Sequence, residues 1–116
     1  MNVFEMKFSK VFPLLIAKAE RKGRTIEEVY AVTSWLTGYT HEQLDDLLKS
    51  ESSYGEFLDN SPTLNPARLN VKGSICGVRI EEIADPRMRD LRVLDKLVDE
   101  LAKGKPLEKI LNKYDG

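Results

Sequence analysis

The chain has few of the residues on which most catalytic and metal sites are built. It contains one cysteine, Cys76, and one histidine, His41, among 116 residues. A single cysteine excludes an internal disulfide framework and, within one chain, a cysteine-based metal cluster. We therefore predict no metal site and no cofactor, and this cysteine usage predicts a cytoplasmic location.

An excess of charge and a long apolar run are also missing. Lysine and arginine number 18 against 19 aspartates and glutamates, for a net charge of −1. No global field therefore draws the chain to nucleic acid or to an anionic membrane. The longest apolar run, Val11 to Ala17, is broken by Pro13 and is too short to cross a bilayer. Residues 1–8 lack the layout of a signal peptide, so we predict a soluble protein with no membrane partner.

Helix signals are what the sequence does have, and its length predicts a single globular domain over residues 1–116. The clearest helix spans residues 85–104, with Asp85 as N-cap, Pro86 at its first position and Gly104 after its end. An apolar stripe recurs along it at three- and four-residue spacing: Leu91, Leu94, Val98 and Leu101. This stripe suits an internal core or a seam between two copies, so a homo-oligomer through this helix is one prediction.

Two pairs of charges along the same helix are spaced to meet on its surface. They are Lys96 with Glu100 and Asp99 with Lys103, each four residues apart. Both pairs are predicted to lie on the solvent side of the helix.

Other helices are predicted from their caps. A first helix begins between Ser9 and Pro13 and runs to Lys22. Capping boxes then open three more helices, at Thr25 with Glu28, Thr40 with Gln43, and Ser53 with Glu56. Pro106 opens a last short one. The predicted fold is all-α, with five or six helices.

Residues 71–84 fit two structures. Cys76, Val78 and Ile80 alternate as in a strand, while Cys76, Ile80 and Ile83 share one face of a helix. A lone hairpin turning at Lys72-Gly73 is marginal, so residues 73–83 are interpreted as helical, with a short β-hairpin as the alternative. Gly73 and Gly77 would then mark the close approach of another backbone or a ligand, or else a positive φ at a turn.

Candidate sites are few. Cys76, Arg79 and Glu82 form one candidate ligand-binding or functional patch, although core packing of Cys76 is favoured over reactivity. Residues 25–49 have the outline of a DNA-binding helix-turn-helix, but the second helix carries Glu42, Asp45 and Asp46, so nucleic-acid binding is ranked last. A basic cluster at Lys18, Arg21, Lys22 and Arg24 is interpreted as a solvated face, since glutamates surround it.

Four segments carry a resemblance that spans nearly the whole chain: AKAERKGR (17–24), WLTGY (35–39), CGVRIEEI (76–83) and LDKLVDELAKGK (94–105). In this order they resemble a family of small bacterial proteins catalogued as a domain of unknown function. The resemblance implies a bacterial cytoplasmic protein and supplies no activity, cofactor or site residue.

The function predicted from the sequence is therefore general. We expect a small cytoplasmic interaction or structural module without enzymatic activity. The alternative is a small-molecule-binding protein or enzyme with its site at Cys76, Arg79 and Glu82, whose ligand the sequence does not define.

Overall fold

The structure is a computed structural model, and the fold is described for residues 2–115. Within this range the backbone forms six α-helices and one antiparallel pair of very short strands, so the predicted mostly helical fold is confirmed. In chain order the elements are α1 (Phe8–Glu20), α2 (Ile26–Thr37), α3 (His41–Leu48), α4 (Tyr54–Asp59), β1 (Ser74–Ile75), β2 (Val78–Arg79), α5 (Pro86–Ala102) and α6 (Leu107–Asp115). Single 3₁₀ turns occur at Val3–Glu5, Pro66–Asn70 and Ile80–Glu82.

The helix starts follow local capping chemistry. The Thr25 hydroxyl accepts a hydrogen bond from the Glu28 amide at 3.2 Å, and the Glu28 carboxylate accepts one from the Thr25 amide at 3.0 Å. The boxes at the starts of α3 and α4 have the same form, and Asp85 caps α5. These predicted starts are confirmed because each depends on residues within one turn.

The start of α1 differs from the prediction. The helix begins at Phe8, its N-cap is Lys7 without a side-chain cap, and Pro13 lies inside it. The first turn is anchored from outside instead, since the Phe8 amide donates to the Ser52 carbonyl at 2.9 Å. The residues that pack inward from this early start are Phe8 and Phe12, which stack with ring centroids 4.7 Å apart. Both are fully buried, with Phe57 of α4 against Phe8.

Helix α5 is the centre of the fold and contacts α1, α2, α4 and α6. All four residues of its predicted stripe are buried: Leu91, Leu94, Val98 and Leu101. Val93, Leu97 and Glu100 are buried as well, so the helix is enclosed on more sides than its apolar stripe predicts. The stripe packs within this chain's own core. Self-association through residues 85–104 stays a prediction, and it would have to use another side of the helix.

The helical interpretation of residues 73–83 is wrong, and the hairpin alternative is the one observed. Ser74 pairs with Arg79 and Ile75 with Val78, and Cys76-Gly77 forms the two-residue loop, not Lys72-Gly73. Both loop residues have positive φ, 53° at Cys76 and 77° at Gly77, as a type I′ turn requires. The hairpin is stable here because it packs against α5, burying Ile75 beside the following Ile80.

Candidate functional site

The predicted patch of Cys76, Arg79 and Glu82 lies on the hairpin and the 3₁₀ turn that follows it. All three residues are exposed. The carboxylate that contacts the hairpin is Glu81 rather than Glu82, since Glu81 accepts a hydrogen bond from the Gly73 amide at 3.1 Å. Bonds from its own amide and from the Gly73 amide lower the pKa of Glu81, with Arg79 and Lys72 adding to the effect. The patch is therefore an exposed surface of the hairpin and of the turn that follows it.

Cys76 was expected in the core, and the structure places it on the surface instead. The reason is the type I′ turn, which puts residue 76 at the exposed tip of the hairpin. Gly73 and Gly77 both have positive φ, and a Cβ added to Gly77 would meet nothing within 4 Å. At Gly77 the turn conformation therefore accounts for the glycine, and close approach does not.

A wide groove opens elsewhere, between the C-terminal ends of α1 and α5. Both helices end on the same side of the molecule. The ion pair between Lys18, in the last turn of α1, and Asp99, near the end of α5, shows this. The groove measures about 620 Å³ and is lined by Lys18, Arg21, Lys22, Asp99, Ala102 and Lys103. Four of these side chains are cationic and one is anionic, in a chain whose net charge is −1. The groove is thus a local concentration of positive charge.

Asp99 holds two of the four cations in place. Its Oδ1 lies 3.2 Å from Lys18 Nζ, and its Oδ2 lies 2.9 Å from Lys103 Nζ, so the carboxylate bridges the two helices. Burial opposes ionisation of Asp99, but the two lysine contacts outweigh it and lower its pKa. The Asp99 bond in turn raises the pKa of Lys103.

Arg21 and Lys22 differ from these lysines. Both are exposed, and neither forms an ion pair or side-chain hydrogen bond within residues 2–115. Their charges face water at the rim of the groove. Basic residues at a helix C-terminus also stabilise the helix by interacting with the negative end of its dipole. Arg21 and Lys22 can have this structural role without binding a partner.

Arg24 fixes the end of the groove. Its Nη1 donates to the Leu101 carbonyl at 3.1 Å and to the Lys105 carbonyl at 2.6 Å, capping the end of α5. Its Nε also donates to Glu28 at 3.1 Å, and this ion pair, with the Thr25 amide, lowers the pKa of Glu28 to about 2. The sequence interpretation missed this role by grouping Arg24 with the solvated basic face. Its four-residue spacing from Glu28 was the available signal.

Comparison with known proteins gives a family for the chain. The family described as "Uncharacterized protein conserved in bacteria (DUF2200)" matches residues 2–112. The chain belongs to this family. The chain is similar to an uncharacterized protein, SP1917, whose crystal structure is known. The two sequences are 49% identical, and the structures superpose with a TM-score of 0.96. The match covers 100% of this chain and 97% of the other. No protein of curated function matches.

Family membership confirms the resemblance seen in the sequence and assigns no activity to any residue. For this DUF2200 member the site must therefore be argued from its own geometry. Among residues 2–115, no three His, Cys, Asp or Glu side chains are placed to hold a metal ion together. Across the same residues, no helix has both the length and the apolar character needed to cross a membrane.

Glu100 is a second feature that the sequence did not reveal. Its side chain is only 2% exposed, and Lys105 and Lys113 contact it at 3.1 and 3.4 Å. The Tyr114 hydroxyl lies 3.0 Å from both of its oxygens and donates to them. Burial and the neighbouring carboxylate raise the pKa of Tyr114. This cluster joins α6 to α5 and is closed to ligands, so we regard it as structural.

The predicted surface pair Lys96–Glu100 is therefore absent, while the pair Asp99–Lys103 is present. Lys96 instead donates to the Ser74 carbonyl at 3.1 Å and ties the hairpin to α5. Spacing along a helix cannot distinguish these outcomes, because it does not show which residues the neighbouring elements cover.

The helix-turn-helix outline is present in α2 and α3, joined by residues 38–40. Glu42, Asp45 and Asp46 are all exposed on α3, so this helix would bring negative charge towards phosphates. Asp45 also accepts a hydrogen bond from the Tyr30 hydroxyl at 2.6 Å. Burial and this bond raise the pKa of Tyr30 to about 12. The acidic surface supports the low rank given to nucleic-acid binding.

Proposed function

We propose that this protein is a cytoplasmic, non-enzymatic interaction module whose binding surface is the groove between α1 and α5. The observation that carries the proposal is the pair of exposed cations Arg21 and Lys22, which have no ion-pair partner among residues 2–115 and lie beside an open depression between two helix ends. Long cationic side chains beside a groove can form ion pairs with a partner when no described carboxylate of their own chain is paired with them.

The geometry favours binding over catalysis. Sites for small substrates enclose most of the ligand, whereas this groove is open to solvent. A reaction centred on Cys76, Arg79 and Glu82 is the weaker candidate, because all three residues are exposed and water is not excluded from them.

Photocrosslinking in the host bacterium tests the proposal. A photoreactive amino acid is introduced at Ala17, an exposed position of α1 one turn before Arg21. In a matched variant it is introduced at Ala84, an exposed position just before the N-terminal end of α5, whereas the groove lies at the C-terminal end of that helix. We expect a discrete crosslinked species from position 17 that disappears when Arg21→Glu and Lys22→Glu are added. The same adducts from both positions, or none from position 17, would contradict the proposal.

A further inference from the structure

We infer that the groove receives an acidic peptide segment of a partner protein, an inference that rests on the proposed function and names its ligand class. Three features distinguish a peptide from a phosphate-bearing ligand: the placement of the cations, the direction of the two helices and the composition of the floor.

The cations stand on both walls of the groove. Arg21 and Lys22 follow the last residue of α1, and Lys103, bound to Asp99, follows the last residue of α5. Carboxylates spaced along a peptide can reach such separated charges one at a time.

The helix direction disfavours phosphate. Sites for phosphate are typically built from helix N-termini, whose amide groups point at the anion. Both α1 and α5 end at this groove, so these two helices supply no N-terminal amide donors there, and the negative end of each dipole faces it. A compact, multiply charged anion therefore gains no backbone bonds from them. A peptide can instead place its carboxylates singly against the side-chain cations.

The floor adds an apolar component. Ala102 is part of the lining and partly buried, and the lysine and arginine side chains that line the groove with it have aliphatic stems. Lysine and arginine stems present apolar surface while their charged ends stay in water. Small apolar side chains between the acidic residues of a peptide would be covered there, whereas a nucleic-acid backbone has nothing to place on it.

Nucleic acid is also disfavoured by the extent of the charge. Tight non-specific binding uses roughly six to ten phosphate contacts. The groove has four cationic side chains, and Asp99 engages two of them.

Two-dimensional NMR of the full-length ¹⁵N-labelled protein tests the inference at about 0.15 M ionic strength. The probes are a peptide of alternating glutamate and alanine, the same peptide with glutamine in place of glutamate, inorganic polyphosphate and a single-stranded oligodeoxythymidylate. We expect the glutamate peptide to shift the Ala102, Lys103 and Gly104 amides, and the glutamine peptide to leave them unchanged.

The matched variants have equal net charge. Arg21→Glu with Lys22→Glu should weaken peptide binding at least about fivefold. Lys49→Glu with Lys109→Glu, at exposed positions on α3 and α6, should leave it within about twofold, since these charges do not line the groove. Thermal melts of both variants show whether each is folded.

Two outcomes overturn the inference. One is absence of groove shifts with the glutamate peptide. The other is tighter binding of polyphosphate or the oligonucleotide at the same amides. If either occurs while the crosslink at position 17 persists, the groove is a binding surface and only its ligand class is wrong.

Discussion

The C-terminal end of α5 and the hairpin of residues 74–79 are both fixed in place, but by different means. The end of α5 is held by residues distant in sequence, with Arg24 on its carbonyls and Tyr114 on Glu100. The hairpin is shaped by the two adjacent residues of its own loop and is then held on α5 by the burial of Ile75 and by one lysine bond. The first region should therefore respond to loss of tertiary polar contacts, and the second to changes in backbone preference.

The largest effect is expected at Glu100. Glu100→Ala removes the acceptor of the buried Tyr114 hydroxyl and opens a gap, while Lys105 and Lys113 can turn to water because both are about half exposed. We expect the free energy of unfolding to fall by about 2–3 kcal/mol. Urea denaturation measures it.

Asp99→Ala is the matched control for Glu100→Ala, since the two carboxylates are adjacent and each contacts two lysines. The Asp99 side chain is 17% exposed against 2% for Glu100, so its loss should cost less, about 1 kcal/mol. Equal decreases in the free energy of unfolding for the two variants would contradict the prediction, because they would mean that burial of Glu100 does not make it more important for stability than Asp99.

Gly77→Ala is next in size. The φ of 77° at this position is unfavourable for any residue with a Cβ, although the space around it is open. We expect destabilisation by about 1 kcal/mol, measured by thermal or urea unfolding. Gly77→Asn should recover part of the loss, because asparagine tolerates positive φ better than alanine. A stabilised Gly77→Ala protein would contradict the turn explanation.

The same contrast explains how far the sequence predicts the structure. The starts of α2 to α5 were predictable because a cap and its partner lie within one turn, as at Thr25 and Glu28. The hairpin was not, because apolar residues at 76, 78, 80 and 83 satisfy a helix and a strand alike. The groove was missed since Lys18 and Asp99 are far apart in sequence, and only packing of α1 on α5 brings them together. Buried Glu100 was missed for the same reason.

A smaller effect should appear when the pH is lowered. The folded pKa of Glu28 is about 2, below the unfolded value of about 4.3. The Arg24–Glu28 pair therefore contributes its full stability above the unfolded pKa and loses it as the pH falls towards 2. Because the pair is partly exposed, we expect a loss of about 1 kcal/mol or less. Urea melts from pH 5 to 2.5 measure the loss against Glu28→Gln, whose own pH dependence should be flatter by that amount. Parallel curves for the two proteins would show that the pair adds nothing.

The smallest effect is expected from Cys76→Asn, and it has the opposite sign. Cys76 is the one residue other than glycine with positive φ in residues 2–115, and it occupies the first loop position of the type I′ turn. Asparagine followed by glycine is the preferred sequence for this turn, since its short polar side chain tolerates the left-handed region. The side chain at 76 is exposed, so the substitution removes no core packing. We expect stabilisation by about 0.5 kcal/mol, with Cys76→Val destabilising instead because β-branched residues strongly disfavour positive φ. Urea unfolding of the two variants compares them directly. Equal stabilities would mean that backbone preference at the tip does not control the hairpin, and a loss in both would indicate that the thiol makes a contact of its own.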